Sequence, residues 1–228
     1  VTDHEQRERA DAPLYPLFVK LAGREVLVVG GGAVATDKAR ELVAHGACVS
    51  VVSPEVRPEL AAIAQRIVRA PFSPAHVDDA FLVVAAAPAP VNREVLAACE
   101  VRRRFVVAVD DVASASAFGA ARLHRGGLTF AISSSGSAPA LVALLRRALE
   151  ALLPDDLDEW HALAVTAREV WKREKVPFRE RRRRLLDALS ALERSDARID
   201  GARERPTAVA LSKGPAFAPE TDEGERAS

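Results

Sequence analysis

Across residues 23 to about 111, short β-branched runs alternate with stretches of helical periodicity. The runs are Glu25-Val26-Leu27-Val28-Val29, Cys48-Val49-Ser50-Val51-Val52, a weak third at Arg66-Ile67-Val68, Phe81-Leu82-Val83-Val84 and Phe105-Val106-Val107-Ala108-Val109. Nearly unbroken apolar runs mark strands covered on both faces, and their alternation with helices predicts a parallel α/β sheet. Beyond Asp111 the pattern changes. Leu128-Thr129-Phe130-Ala131-Ile132 reads as a strand behind a turn at Arg125-Gly126-Gly127. A helix from about Ala138 has Pro139 in its first turn and an apolar stripe of Leu141, Leu145, Leu149 and Leu152. Two further helices fit residues 155–172 and 178–194, with Val176-Pro177 breaking between them. Trp160, Ala164, Ala167 and Trp171 share one helical face, which reads as helix-packing core.

The ends lack such a pattern. Residues 1–13 are polar and read as a flexible arm, and residues 199–228, rich in Gly, Pro and acidic side chains, as a disordered tail. Of the 228 residues 49% are hydrophobic and 28% charged, which excludes a wholly disordered chain. Basic and acidic residues balance at 32 each, so the strong basic excess of a nucleic-acid binder is missing. No apolar run approaches the roughly 20 residues that cross a bilayer, and the opening Val1-Thr2-Asp3-His4-Glu5 has no basic-then-apolar signal pattern. A soluble, cytoplasmic protein with neither nucleic-acid nor membrane partner is expected. Cys48, Cys99 and the five scattered histidines show no metal-ligand spacing, so no resident metal site is expected.

The most informative stretch is Val26-Leu27-Val28-Val29-Gly30-Gly31-Gly32-Ala33-Val34-Ala35, a strand entering a helix through G-x-G-x-x-A. Gly30 permits the tight turn, Gly32 lets backbone approach a pyrophosphate, and Ala35 allows helix to pack closely on sheet. The helix N-terminus offers free N–H groups to that pyrophosphate, so Gly30, Gly31, Gly32, Ala33 and Val34 form the candidate cofactor cradle. About 20 residues further on, where an acid reading the ribose is expected, stand Ser53, Pro54 and Glu55. Glu55 either reaches the ribose hydroxyls or is a solvated loop charge. Arg57 leaves room for a 2′-phosphate, so NAD is expected with NADP left open. The expected fold is α/β: a Rossmann-like parallel sheet over 14–112, a small α+β segment over 113–153 and a C-terminal helical domain over 154–198.

Several ordered motifs resemble the precorrin-2 dehydrogenase family, including the dehydrogenase and ferrochelatase half of siroheme synthases. They are Tyr15-Pro16-Leu17-Phe18-Val19-Lys20-Leu21 with Gly23-Arg24 and the glycine turn, then Val107-Ala108-Val109-Asp110-Asp111, and then Ala131-Ile132-Ser133-Ser134-Ser135-Gly136-Ser137-Ala138-Pro139-Ala140-Leu141. Lys38 and Asn92 fall where the family has a lysine in the first helix and an asparagine after the fourth strand. The likeness spans roughly residues 14–154. There are departures: Ala86-Ala87-Pro88-Ala89-Pro90 stands where the family has hydrogen-bonding side chains, and Val112 where it has proline.

Ligands of an open parallel sheet bind beyond the carboxyl ends of its strands. Asp110 lies at such an end, where a carboxylate can take a proton while hydride leaves for NAD. The resemblance implies that Asp110 does this in oxidising precorrin-2 to sirohydrochlorin, in siroheme or cobalamin biosynthesis. Without it, Asp110 reads as a helix cap or turn acid, as does Asp111. Ser133 and Ser134, in a hydroxyl-rich segment before a helix, suit a carboxylate-rich tetrapyrrole; the other reading is a linker whose Ser137 caps the helix. The resemblance also implies a homodimer paired through the middle segment, and it admits iron insertion with Fe2+ as substrate. The basic run over 172–184 is either a solvated helix face or a positive wall steering a polyanion. The competing functional class is a non-catalytic dinucleotide-sensing module, which would have no use for Asp110 and the serine segment.

Overall fold

The computed structural model describes residues 14–109 and 115–197, with side chains described as far as residue 191. The protein forms two compact units. One comprises the residues up to Ala120 together with Ser133–Pro139, and the other Ala121–Ile132 together with the residues from Ala140 on.

The first unit is built on five parallel strands, β1 (Glu25–Val29), β2 (Cys48–Val52), β3 (Arg66–Val68), β4 (Leu82–Ala85) and β5 (Phe105–Ala108), in the order β3-β2-β1-β4-β5. Three helices connect them: α1 (Ala33–Ala44), the single-turn α2 (Pro58–Ala61) and α3 (Ala89–Val101), with a 3-10 turn at Pro74–Val77. Side chains alternate across the strands. Val26, Val28, Val49, Val51 and Val84 pack with Ala35, Ala39, Leu42 and Leu60 on one face. Leu27, Val29, Val83, Ala85 and Val106 pack with Val95, Leu96 and Cys99 on the other. Both faces are therefore dry, which is why the strands read as continuous apolar runs.

Three strand limits differ by one residue from those expected, β4 running from Leu82 to Ala85 rather than from Phe81 to Val84. Phe81 stays outside β4, half exposed, with the Arg24 guanidinium 5.0 Å from its ring centroid, and β5 ends at Ala108 rather than Val109.

The second unit contains a strand that the pattern did not disclose. β6 (Ala121–Arg125) pairs antiparallel with β7 (Leu128–Ile132), Arg125 facing Leu128 across Gly126-Gly127. Both glycines have positive φ, 62° and 68°, the conformation a two-residue hairpin turn requires. The turn is covered: a Cβ on Gly126 would come within 2.7 Å of Leu157, and one on Gly127 within 2.7 Å of the His161 ring. Helices α4 (Pro139–Leu152), α5 (Leu157–Arg173) and α6 (Phe178–Ala197) complete the unit. Leu157, Trp160 and Leu189 form its core with Leu153, Leu163 and Leu185 packed around them. The Trp160 indole N–H is satisfied by Asp156 Oδ2 at 3.1 Å, so the tryptophan is a core residue. Of α4 only Val142 is buried, and Leu141, Leu145 and Leu152 of the leucine stripe stand exposed. In the basic run, Arg181 donates to the Val176 carbonyl and Arg184 pairs with Glu180. No helix among the described residues is long and apolar enough to cross a membrane.

Candidate functional site

The strand order reverses between β1 and β4: β1 leads back toward β2 and β3, β4 onward to β5. Connections diverge at such a switch point and leave a crevice beyond the carboxyl ends of the two strands. The glycine turn occupies the β1 side of it and the β4–α3 turn the other.

The three glycines are there for three different reasons. Gly30 has φ +126°, and a Cβ on it would lie 2.2 Å from the Ala86 carbonyl oxygen. Its N–H donates to Val52 O at 3.0 Å, and the Ala86 N–H donates to Val29 O at 2.8 Å, so the turn is stitched to both neighbouring strands. Gly31 is pressed from the β2 side. Its missing Cβ would fall 1.7 Å from Glu55 O and 2.9 Å from Ser53 Oγ, and its carbonyl accepts from Arg57 N–H at 3.1 Å. Gly32 differs from both. Its φ is an ordinary −84°, and no atom lies within 4 Å of where a Cβ would stand.

Gly32 is the N-cap of α1, and no side chain caps that end. The first helical hydrogen bond, from Thr36 N–H to Gly32 O, leaves the preceding turn of N–H groups without helical acceptors. Ala33 and Val34 are exposed there, while Ala35 is fully buried against the sheet. An open approach at Gly32 over an uncapped helix start fits the pyrophosphate of a dinucleotide.

On the β2 side Ser53 is half-buried and its N–H donates to Val68 O at 3.1 Å. Pro54 and Glu55 are exposed. It is the backbone carbonyl of Glu55 that meets the glycine turn, and its carboxylate has no ion pair with a described residue. On the β4 side Asn92, 2% exposed, accepts the Ala87 N–H on Oδ1 at 3.0 Å. Its helix also carries Arg93, Glu94 and Glu100, so the family resemblance was the only signal for it. Lys38 on α1 pairs with Glu41 at 3.6 Å.

Ser133 and Ser134 belong to the same compact unit as the glycine turn. Ser133 Oγ accepts from Ser135 N–H at 3.2 Å. Ser134 Oγ accepts from Ala138 N–H at 3.0 Å, and the Ser137 hydroxyl donates to Ser134 O at 2.6 Å. Both bonds lie in the turn that leads into α4. Asp110 and Asp111 lie outside the described residues; the nearest described neighbour, Val109, donates its N–H to Ala85 O at 3.2 Å at the carboxyl end of β4. Burial pushes the Cys99 thiol up to about 11, only partly offset by Arg102 and Arg104, which makes it a core group rather than a nucleophile. No cluster of metal-ligating side chains occurs among the described residues.

Comparison with known proteins agrees with this geometry. Residues 17–120 match the family described as putative NAD(P)-binding. Siroheme synthase 1 of Cronobacter sakazakii is 47% identical over 147 residues, covering 62% of this chain and 31% of that protein. Siroheme synthase 3 of Aeromonas hydrophila is 40% identical over 217 residues, covering 92% of this chain and 45% of that one. The chain therefore spans less than half the length of these curated relatives. Among solved structures, SirC, a precorrin-2 dehydrogenase, superposes with a TM-score of 0.61 over 76% of this chain and 88% of its own, at 24% identity. That likeness shows the fold.

The contrast between adjacent glycines is testable. Gly31→Ala forces the 53–57 loop to move and is expected to cost about 1–3 kcal/mol of stability in urea unfolding. Gly32→Ala, with ordinary φ and empty surroundings, is expected to stay within about 0.5 kcal/mol of the parent. Equal losses at the two positions would contradict the packing described.

Proposed function

We propose that the chain, which is similar to siroheme synthases over part of their length, oxidises precorrin-2 to sirohydrochlorin with NAD as acceptor. The observation that carries this reading is the open approach at Gly32, over an uncapped helix start, at the switch point of a parallel sheet. Bound NAD supplies a hydride acceptor. The chain's own groups do the rest. Backbone N–H groups at the start of α1 hold the pyrophosphate, with Gly30, Gly31, Gly32, Ala33 and Val34 as the cradle and Ser53, Pro54 and Glu55 flanking the adenosine ribose. Asp110, two residues beyond the end of β5 in sequence, takes the proton that precorrin-2 loses as its hydride leaves. Ser133 and Ser134 offer hydroxyls and amide N–H groups to the substrate carboxylates. NAD is preferred to NADP in this reading, with Arg57 the residue that would tolerate a 2′-phosphate. Fe2+, where inserted, is a substrate of the same site.

The reading includes a homodimer. A two-stranded sheet is marginal by itself, and α4 leaves Leu141, Leu144, Leu145 and Leu152 exposed at 52, 63, 47 and 69%, an apolar face that a second copy would cover.

Three outcomes are expected. Gly32→Asp places a carboxylate in the pyrophosphate approach and abolishes dinucleotide binding, measured by calorimetry, while the melting temperature stays near that of the parent. Anaerobic incubation of the parent with precorrin-2 and NAD yields sirohydrochlorin, followed by absorbance, and Asp110→Asn slows it about 10²–10⁴-fold with NAD affinity little changed. A normal rate in that variant removes Asp110 from the mechanism, and NAD binding without any turnover in the parent favours a dinucleotide-sensing module. Light scattering at micromolar concentration gives the mass of two chains; a monomer would count against the paired middle segment.

A further inference from the structure

Asn92 is one of the two buried polar side chains among the described residues, the other being Thr36. Its two ends are treated unequally. Oδ1 accepts the Ala87 N–H at 3.0 Å, while Nδ2 is buried without a hydrogen-bond partner among the described residues. A buried donor left unpaired costs at least as much as an ordinary hydrogen bond contributes. The one bond made and the one left unmade therefore roughly cancel, and a leucine of similar volume would be no worse for stability. Something other than stability accounts for an amide at this position.

The bond it makes identifies what that is. Ala87 follows Ala86, whose carbonyl oxygen would lie 2.2 Å from a Cβ on Gly30; Ala87 N itself would lie 3.1 Å away. The β4–α3 turn has no polar side chain of its own with which to hold its shape, since it reads Ala86-Ala87-Pro88-Ala89-Pro90. Pro88, the N-cap of α3, has no side chain able to cap it. Asn92, one turn into α3, reaches back to the Ala87 N–H, which stands directly before Pro88. It thereby fixes the backbone against which the glycine turn is pressed.

We propose that Asn92 is a positioning residue for the dinucleotide. Through Ala87 it holds the Ala86 carbonyl against Gly30, and so sets the place of the Gly30–Gly32 backbone that receives the pyrophosphate. The inference rests on the assignment of the dinucleotide to this turn. It adds a residue that touches no ligand and acts through two backbone groups.

The test separates affinity from stability, because a residue that merely capped α3 would move the two together. Asn92→Leu removes the acceptor and the orphaned donor at once. It is expected to melt within a few degrees of the parent and to bind NAD at least tenfold more weakly by calorimetry. Asn92→Asp keeps an oxygen for the Ala87 N–H but buries a carboxylate. It is expected to melt lower than the leucine variant yet bind NAD more tightly than it does. Affinity and melting temperature then rank the two variants in opposite orders. Parent-like NAD affinity in Asn92→Leu, affinities that follow the melting temperatures, or failure of Asn92→Leu to fold each overturns the proposal. Absence of NAD binding by the parent itself overturns the assignment of the turn, and this inference with it. NAD binding by the parent together with any of the first three results overturns the role of Asn92 alone.

Discussion

Two backbone carbonyls closing on two glycines are the constraint around which the first unit is arranged. Glu55 O and Ala86 O approach Gly31 and Gly30 so closely that no side chain fits at either position. The approach is possible because β2 and β4 flank β1 in register, with Val52 and Ala85 opposite Val29. Both neighbouring chains therefore leave the sheet at the same level as the glycine turn. The pressure from the β2 side explains why the middle position, free in the general G-x-G pattern, is glycine here. Of the three glycines of the turn, Gly32 alone faces open space.

The rest of the unit serves to keep that compression in place. Apolar packing on both faces of the sheet, about Val26, Val28 and Ala35 on one side and Leu27, Val83 and Val95 on the other, makes the strands rigid. Hydrogen bonds tie the loops at the strand ends to their neighbours: Gly30 to Val52, Arg57 to Gly31, Val109 to Ala85 and Ala87 to Asn92. With alanines and prolines after β4, backbone groups and one buried amide do work that side chains of the turn would otherwise share.

The second unit is organised differently. Its hairpin turns on two left-handed glycines that Leu157 and His161 cover, and its core is limited to the residues around Trp160. Arg125 strengthens the joint by donating to the Glu150 and Leu153 carbonyls and pairing with Asp155. The exposed leucines of α4 contrast with this small core. Among the described residues they form an exposed apolar surface along one helix.

How much the amino-acid sequence determined follows from the range of the forces involved. Five β-branched runs, the helices between them and the G-x-G-x-x-A turn were legible because strand periodicity, helix periodicity and glycine conformation are local properties. β6 escaped because Ala121-Arg122-Leu123-His124-Arg125 has a single buried apolar residue, Leu123; the Gly126-Gly127 pair was the signal that could have disclosed it. Ser53, Pro54 and Glu55 were placed beside the cofactor turn by counting, but counting does not distinguish a carboxylate from a carbonyl, and it is the carbonyl of Glu55 that makes the contact. The obligation on Gly31, the openness at Gly32 and the half-satisfied amide of Asn92 were decided by tertiary structure alone. The first depends on Glu55, at the end of β2, being pressed against a turn at the end of β1; the Asn92 bond is short in sequence, but the burial that leaves its amide half satisfied comes from tertiary packing.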